Sequence, residues 1–454
     1  MCGIIGIYNN ESAAELAALG MFAEQHRGQE SCGMAVNNGI TIKLRKKMGL
    51  VKEVFTPQKL QQLDGRIAIG HVRYPTCGIS SEYNSQPHVV ETLSGPCYAL
   101  TSNGDIVNYQ EIRKVLESKG VYFASSNDGE LILKYIVYQV EKKGKPIVDA
   151  IRKMMKYVKG AYSSVLATKS ELYIFKDPYA FRPLSYSVLS DGTFVAASES
   201  CALDILNPEW KKEVNAGEIV VVGKDGYRVI PGNPEEFRNT ECEQHCIFEH
   251  IYFSRPDSEI FGEDVYRVRQ TIGARLAEND PVEADIVVPV PDSSNFIALG
   301  YARQKNLPLE LGLIRNHYVG RTFIKPQQTI RDESVYQKFN PLPNFFNGKR
   351  VVLVDDSIVR GTTISKIIKL IRKAGAAEIH LRIGSPPVKF SCFYGIDTPT
   401  NQELIANNKT ISEIREYIGA DSLHYLSIED LNKSVKIPCS YCYACFNGNY
   451  PVLA

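Results

Sequence analysis

The sequence predicts an α/β protein of two domains. With 454 residues, the chain is too long for one ordinary core and suits two domains of about 200 residues each. In the second half, short apolar runs alternate with amphipathic stretches, which is the rhythm of a mostly parallel, doubly wound sheet. Between the halves runs a polar stretch, Pro231-Gly232-Asn233-Pro234 with acidic neighbours, where a boundary is expected. The domains are therefore expected over residues 2–230 and 240–454.

Composition removes several classes of function. The 52 basic and 51 acidic side chains nearly cancel, so the balance favours neither nucleic acid nor an anionic membrane as a partner, and anionic substrates must be met locally. No run reaches the 18 apolar residues of a membrane span, and Met1-Cys2-Gly3 has neither the basic region nor the apolar core of a secretory signal. A cytoplasmic protein is expected. Eleven cysteines are an odd number for a disulfide framework, and three of them crowd into Cys439 to Cys445, which points to reactive or metal-bound thiols.

The chain begins with Cys2 followed by Gly-Ile-Ile-Gly-Ile-Tyr, a short apolar strand. An isolated cysteine there reads as a buried, inert strand residue. Removal of Met1 would instead leave a thiol and a free α-amine on one residue. An α-amine titrates near about 7.7–8.0 and a free thiol near about 8.5, so the amine can take the thiol proton without a histidine. The helical stretch 13–25, with Leu16, Leu19 and Phe22 at helical spacing, leads into His26-Arg27-Gly28-Gln29-Glu30-Ser31-Cys32-Gly33. His71-Val72-Arg73-Tyr74-Pro75-Thr76, Ser102-Asn103-Gly104-Asp105 and Ser126-Asn127-Asp128-Gly129-Glu130 follow. Helices over 131–142 and 147–155 and strands over 163–168, 171–175 and 193–197 are expected next.

Taken together, Cys2-Gly3-Ile4 and these four segments resemble, in order and spacing, the glutaminase domain of the N-terminal-nucleophile amidotransferases. The resemblance implies a four-layer αββα sandwich that hydrolyses the side-chain amide of glutamine. That chemistry needs a nucleophile, donors for a tetrahedral oxyanion and charges that hold the amino acid. Cys2 would attack, Asn103 and the Gly104 amide would form the oxyanion hole, Arg73 would bind the carboxylate and Asp128 the ammonium group. His71 reads as structural. Arg182-Pro183-Leu184 and Ser198-Glu199-Ser200 also resemble features of that family, although the residues alone read only as turns.

In the second half, Val351-Val352-Leu353-Val354 reads as a buried strand that passes at once into Asp355-Asp356-Ser357-Ile358-Val359-Arg360-Gly361-Thr362-Thr363. Two acids after a strand can be a simple turn with a helix N-cap. They can also accept ribose hydroxyls or hold a hydrated Mg²⁺, while the following amides cradle a phosphate. The whole run resembles the signature of type I phosphoribosyltransferases, which bind 5-phosphoribosyl-1-pyrophosphate (PRPP). That resemblance implies PRPP contacts from Asp355, Asp356, Ser357, Arg360, Gly361, Thr362 and Thr363, with Ser293 completing a magnesium site. Other strands are expected over 286–290, 309–314 and 378–383, with helices over 295–304 and 364–373. Phe248 to Ser258 reads in isolation as an apolar strand entering a turn; the resemblance makes it a segment meeting both active sites, with Arg255 near substrate phosphate and Tyr252 near the domain interface. The cation-rich stretch 316–340 reads as a lid, and Val319-Gly320-Arg321-Thr322-Phe323-Ile324 resembles the start of a loop closing over PRPP, with Arg321 a contact.

Cys439-Ser-Tyr-Cys442-Tyr-Ala-Cys445 offers thiolates at x2 spacing, and Cys246 and Cys392 are separate candidates, so five cysteines compete for four ligand places. The chain as a whole resembles the glutamine PRPP amidotransferases, and its cysteines resemble their Bacillus-like, iron–sulfur branch. This implies a structural [4Fe–4S] cluster on Cys246, Cys392, Cys442 and Cys445 with Cys439 a bystander; zinc is the rival. The family further implies glutamine and PRPP as substrates, purine nucleotides as feedback inhibitors and a homo-oligomer, tetramer or dimer. Two other readings compete: a PRPP-binding regulator without turnover, and another N-terminal-cysteine amidotransferase. The first would not need a complete glutaminase constellation. The second would carry an ATP-pyrophosphatase loop or sugar-isomerase domains, neither of which is present in the sequence.

Overall fold

The computed structural model describes residues 1–75, 80–93, 95–233, 237–278, 280–318 and 337–453. The first 230 residues build two sheets. One has seven strands in the order Lys212–Glu213, Ser185–Val188, Phe194–Ala197, Gly3–Tyr8, Ile67–Arg73, Ser31–Asn37, Ile42–Met48. The other has six, in the order Gly226–Ile230, Ile219–Gly223, Leu172–Lys176, Ser163–Ala167, Gly95–Asn103, His88–Thr92.

Strand alternation explains the layering. Ile4, Ile67 and Ile69 pack with Ala99, Val165, Ile174 and Val220 in one buried cluster between the sheets. Ile5 and Ile7 point the other way and pack on Ala13, Ala17 and Met21 of the helix Ala13–Ala23. Leu100, Leu166 and Phe175 on the outer face of the second sheet are covered by Leu131, Ile132, Ile151 and Met154 from the helices Asp128–Val137 and Ile147–Tyr157. The result is the helix–sheet–sheet–helix sandwich expected from the sequence. Gly20 permits the close contact on the first side, because a Cβ there would lie 1.7 Å from Ile5 Cδ1.

The remainder holds a four-stranded parallel sheet in the order Ile286–Pro289, Arg350–Asp355, Glu378–Ile383, Ser422–Tyr425. Val287, Val352 and Val354 pack on Ile272, Ile297 and Tyr301 of the helices Val265–Glu278 and Asn295–Lys305. Val288, Val351 and Leu353 pack on Ile364, Ile367 and Ile371 of the helix Thr362–Lys373. Helices therefore cover both faces, so the sheet is doubly wound, and its strands are buried on both sides as their unbroken apolar sequence requires.

Two sequence expectations are corrected. The strand expected over 309–314 reduces to a single parallel bridge, Val287 to Leu309, while Leu313–Arg315 turns away to pair with Phe339–Pro341. Gly312 lies at the break, its backbone packed on the Phe346 ring. The apolar stretch after Phe248 is not a strand but the π-helical turn Glu249–Phe253. Its Glu249 and His250 are wholly buried, and partners elsewhere in the fold override the local β preference.

Candidate active sites

The first site lies where neighbouring strand ends of the two sheets meet. Cys2 precedes the strand Gly3–Tyr8 and is buried. Its backbone N–H donates to Asn103 Oδ1 at 3.0 Å and its thiol to the Tyr74 carbonyl at 3.6 Å. Asn103 ends the strand Gly95–Asn103 and is fully buried. With its oxygen occupied by Cys2, its Nδ2 has no acceptor, leaving a desolvated donor beside the thiol residue. Gly104 follows with φ +141°, and a Cβ would lie 2.1 Å from the Ala161 oxygen, so only glycine fits.

Asp128 opens the helix Asp128–Val137 and accepts the Ile106 N–H at 2.6 Å, bracing the turn after Gly104. Arg73 ends the strand Ile67–Arg73, buried against Glu30 at 2.5 Å. His71 is wholly buried with neither ring nitrogen hydrogen-bonded. Burial, with Arg73 and His88 nearby, keeps its pKa well below the usual histidine value, so the ring is neutral. Thr76 lies outside the described residues.

Beneath Cys2 sits an ionic network that the sequence analysis missed. Arg27 Nε donates to the Cys2 carbonyl at 2.8 Å, and its other nitrogens reach Glu249 Oε2 and Oε1 at 3.0 and 2.8 Å and also Glu199. Glu199 accepts from Ser258 Oγ at 2.7 Å and from the Arg255 N–H at 2.8 Å. Burial opposes its ionisation, yet His26 and Arg27 hold its pKa well below the ordinary carboxylate range. Glu249 also accepts from Ser254 Oγ at 2.8 Å and lies 3.7 Å from Arg182. The available signal was Glu249 itself, a lone acid inside the apolar run Ile247 to Phe253.

The second site is at the carboxyl end of the parallel sheet, beside the topological switch where the chain departs to either side of the strands Ile286–Pro289 and Arg350–Asp355. Asp355 ends its strand. Asp356 accepts hydroxyls from Ser293 and Ser357, each at 2.5 Å, and donates its own N–H to Asp355 Oδ1 at 3.0 Å. Burial pushes both carboxyl pKa values up, and for Asp355 the charge of Asp356 adds to it. Such a pair favours a bound cation or proton. Gly361 takes φ +77° before the helix Thr362–Lys373, and Thr362 and Thr363 are exposed at its start, leaving the first-turn amides of that helix to face solvent or a ligand.

Two predicted arginines are engaged elsewhere in this structure. Arg360 pairs with Glu403 at 3.0 Å. Arg255 is held by Asp257 at 2.6 Å and the Ala23 carbonyl at 3.3 Å. Another arginine, Arg269, is buried and donates to the His250 and Ser254 carbonyls at 2.7 and 2.8 Å; burial lowers its pKa to about 10, while the charge of Asp356 acts in the opposite direction. The Val319 to Ile324 segment, with Arg321, lies outside the described residues.

Cys246, Cys392, Cys442 and Cys445 line one enclosed apolar cavity walled by Phe181, Tyr394 and Tyr450. The parallel strands His245–Cys246 and Tyr441–Cys442 put Cys246 directly opposite Cys442. The Tyr394 N–H donates to Cys392 Sγ at 3.3 Å. Burial, then the neighbouring thiols, raise the Cys442 and Cys445 pKa values, and burial brings Cys246 up to about 11. Cys439 is exposed and apart from this cavity. Among the described residues, no three Cys, His, Asp or Glu side chains converge tightly enough to hold a single ion.

A thiol beside an oxyanion-type donor in a four-layer sandwich, and paired acids at the switch point of a doubly wound sheet, define a glutamine amidotransferase fused to a phosphoribosyltransferase. Comparison agrees, with a glutamine amidotransferase domain matching residues 71–204 and a phosphoribosyl transferase domain residues 265–383. The chain is 48% identical to amidophosphoribosyltransferase 1, chloroplastic, of Arabidopsis thaliana, covering 99% of this chain and 78% of that protein. It is 41% identical to the amidophosphoribosyltransferase of Bacillus subtilis, covering 99% and 94%. A solved B. subtilis glutamine PRPP amidotransferase, complexed with ADP and GMP, superposes with a TM-score of 0.90 at 41% identity, over 99% of this chain and 97% of that one. The chain belongs to the amidophosphoribosyltransferase family.

Proposed function

We propose that the chain converts glutamine, PRPP and water to 5-phosphoribosylamine, glutamate and pyrophosphate, the first committed step of purine synthesis. The observation that carries this reading is the occurrence in one chain of the buried Cys2–Asn103 arrangement and the Asp355–Asp356 pair, with a buried hydrogen-bonded chain running from the Cys2 carbonyl through Arg27, Glu249 and Ser254 to Arg269. Domains over 2–230 and 240–454 are part of it.

In this reading Met1 removal turns the Cys2 N–H, now on Asn103, into the α-amine that takes the thiol proton. Cys2 Sγ attacks the amide carbon, and Asn103 Nδ2 and the Gly104 N–H receive the oxyanion. Arg73 holds the carboxylate of glutamine and Asp128 its ammonium group. Ammonia leaves for the second site, and water releases glutamate from the thioester.

At the second site Asp355 and Asp356 would meet the ribose hydroxyls, while Ser357, Gly361, Thr362 and Thr363 would contact a phosphate; Arg360 and Arg255 would join them by leaving Glu403 and Asp257, and Arg321 is the remaining proposed contact. Ser293, Asp355 and Asp356 would hold Mg²⁺, which neutralises charge on the departing pyrophosphate. Cys246, Cys392, Cys442 and Cys445 would hold a structural [4Fe–4S] cluster. Zinc is the rival, since four thiolates suit it as well. Purine nucleotide inhibition, a homo-oligomeric state (tetramer or dimer) and a cytoplasmic location belong to the same reading. Among the described residues, no helix is long and apolar enough to cross a membrane.

Two measurements test this reading. Protein purified without oxygen should be brown, with about four irons per chain. Serine at Cys246, Cys392, Cys442 or Cys445 should remove the iron, and at Cys439 should not; colourless protein with one zinc would reverse the metal assignment. The second is glutamate release with and without Mg·PRPP. Coupling of about 1–3 kcal/mol predicts stimulation, in rate or in KM, of roughly 5–150-fold. Glu249→Gln should reduce that stimulation while ammonia-dependent synthesis persists as the check on folding. A glutaminase indifferent to PRPP would end the coupled reading.

A further inference from the structure

A short segment ties together the two ends of the glutamine site. From the turn Glu82–Asn84 the chain runs extended through Ser85, at φ −70° and ψ 145°, into the strand His88–Thr92. Alternation along an extended chain sends Asn84, Gln86 and His88 to one side, and all three are buried. Asn84 Oδ1 accepts the Ser126 N–H at 3.0 Å. His88 Nε2 donates at 3.0 Å to Asn127 Oδ1, which also takes the Gly129 N–H at 2.9 Å. Gln86 makes the middle link. The strand register pairs His88 with Leu100, so continuing that register sets Gln86 opposite Ser102. There its side-chain amide replaces a neighbouring strand: Oε1 accepts the Ser102 N–H at 2.7 Å, and Nε2 donates to the Ser102 carbonyl at 3.1 Å.

We propose that Gln86 is a positioning residue that sets the spacing between the oxyanion donors and the ammonium-binding acid, and with it the preference for glutamine over asparagine. This assignment, which rests on the glutaminase roles proposed for Asn103, Gly104 and Asp128, follows from what the amide touches on each side. On one side, Ser102 directly precedes Asn103. On the other, Gly129 directly follows Asp128, and a Cβ there would lie 2.6 Å from Gln86 Oε1. One planar amide therefore lies between the groups that would grip opposite ends of the substrate. Its own backbone is seated on the first sheet, where a Cβ at Gly33 would collide with the Gln86 carbonyl oxygen, and Lys46 Nζ donates to the Ser85 carbonyl at 2.7 Å. Asparagine is one methylene shorter than glutamine. Held by its ammonium group in a site of fixed span, it presents its amide carbon short of Cys2 and of the oxyanion donors. A misfit of one methylene is worth roughly 10–200-fold, and a displacement of about 1 Å at the reacting atoms about 10²-fold.

The test uses the full chain and measures glutamate release from glutamine, aspartate release from asparagine and, as the check on the rest of the fold, synthesis from ammonium chloride with Mg·PRPP. Gln86→Glu places a carboxylate oxygen against the Ser102 carbonyl in place of an N–H donor. Its kcat for glutamine should fall about 10²-fold, and its KM far less because Arg73 and Asp128 are intact. The glutamine-to-asparagine ratio of kcat/KM should shrink by about tenfold or more, while ammonia-dependent synthesis persists. Gly129→Ala guards against a variant that simply unfolds. It keeps Gln86, suits the helix Asp128–Val137 better than glycine does, and displaces the amide with its methyl group, so it should show the same narrowing at smaller size. An unchanged ratio in both variants, a loss confined to KM, or equal loss of the ammonia-dependent reaction in both overturns the assignment, while wild-type glutaminase leaves the proposed reaction standing. Wild-type protein that releases no glutamate overturns the reaction itself and the assignment with it.

Discussion

Replacing Cys2 by alanine should abolish glutamine-dependent synthesis, by about 10⁴-fold or more as for other removed covalent nucleophiles, while synthesis from free ammonia continues. The reason is separation. Cys2 contacts Asn103 and Tyr74, whereas the acids of the second site contact Ser293 and Ser357. Substitutions at distant sites without shared partners usually add within about 0.3–0.5 kcal/mol, so ammonia-dependent turnover should stay within about twofold of wild type. The link through Arg27 uses the Cys2 carbonyl rather than its thiol, and alanine keeps it. Parallel measurement of phosphoribosylamine from glutamine and from ammonium chloride decides the matter; equal loss of both would merge the two sites into one.

The opposite pattern is expected from Asp355→Asn with Asp356→Asn. Both nitrogen sources use the same ribose and metal contacts, so both activities should fall by about 10³-fold or more. Unfolding is not the expected cause. Burial and mutual repulsion raise both carboxyl pKa values in the folded chain, so the ionised pair costs stability. Neutral amides relieve that cost, and the melting temperature should hold or rise as activity disappears. Retained synthesis at saturating Mg·PRPP, or an unfolded double variant, would contradict the assignment.

What the sequence disclosed follows from how local each feature is. The Val351 to Asp356 run was legible because an apolar strand buried on both faces and an abrupt pair of acids are both written within six residues. Cys2, Asn103 and Gly104 were legible as motifs, but the clamp between the Cys2 N–H and Asn103 was not, since it joins two sheets. Arg73 was visible as a cation, and its buried partner Glu30 was not. The turn at Glu249 was misread because its burial is compensated by Arg27, more than 200 positions away. That Cys439 lies outside the cavity lined by Cys246, Cys392, Cys442 and Cys445 is set by the tertiary fold, and nothing in its x2 run discloses it.

The Arg27–Glu249 pair limits how freely evolution or an engineer can shuffle these halves. Arg27 comes from the glutaminase portion and Glu249 from the segment leading into the parallel sheet, and both side chains are sealed from water. Cutting the chain between them would leave Glu249 without Arg27 and Arg182, whereas Arg27 would keep Glu199. A buried carboxylate that forfeits its partners costs about 3–5 kcal/mol. Exchange of the first portion with that of a relative should therefore be tolerated best when the incoming piece brings a cation to meet Glu249.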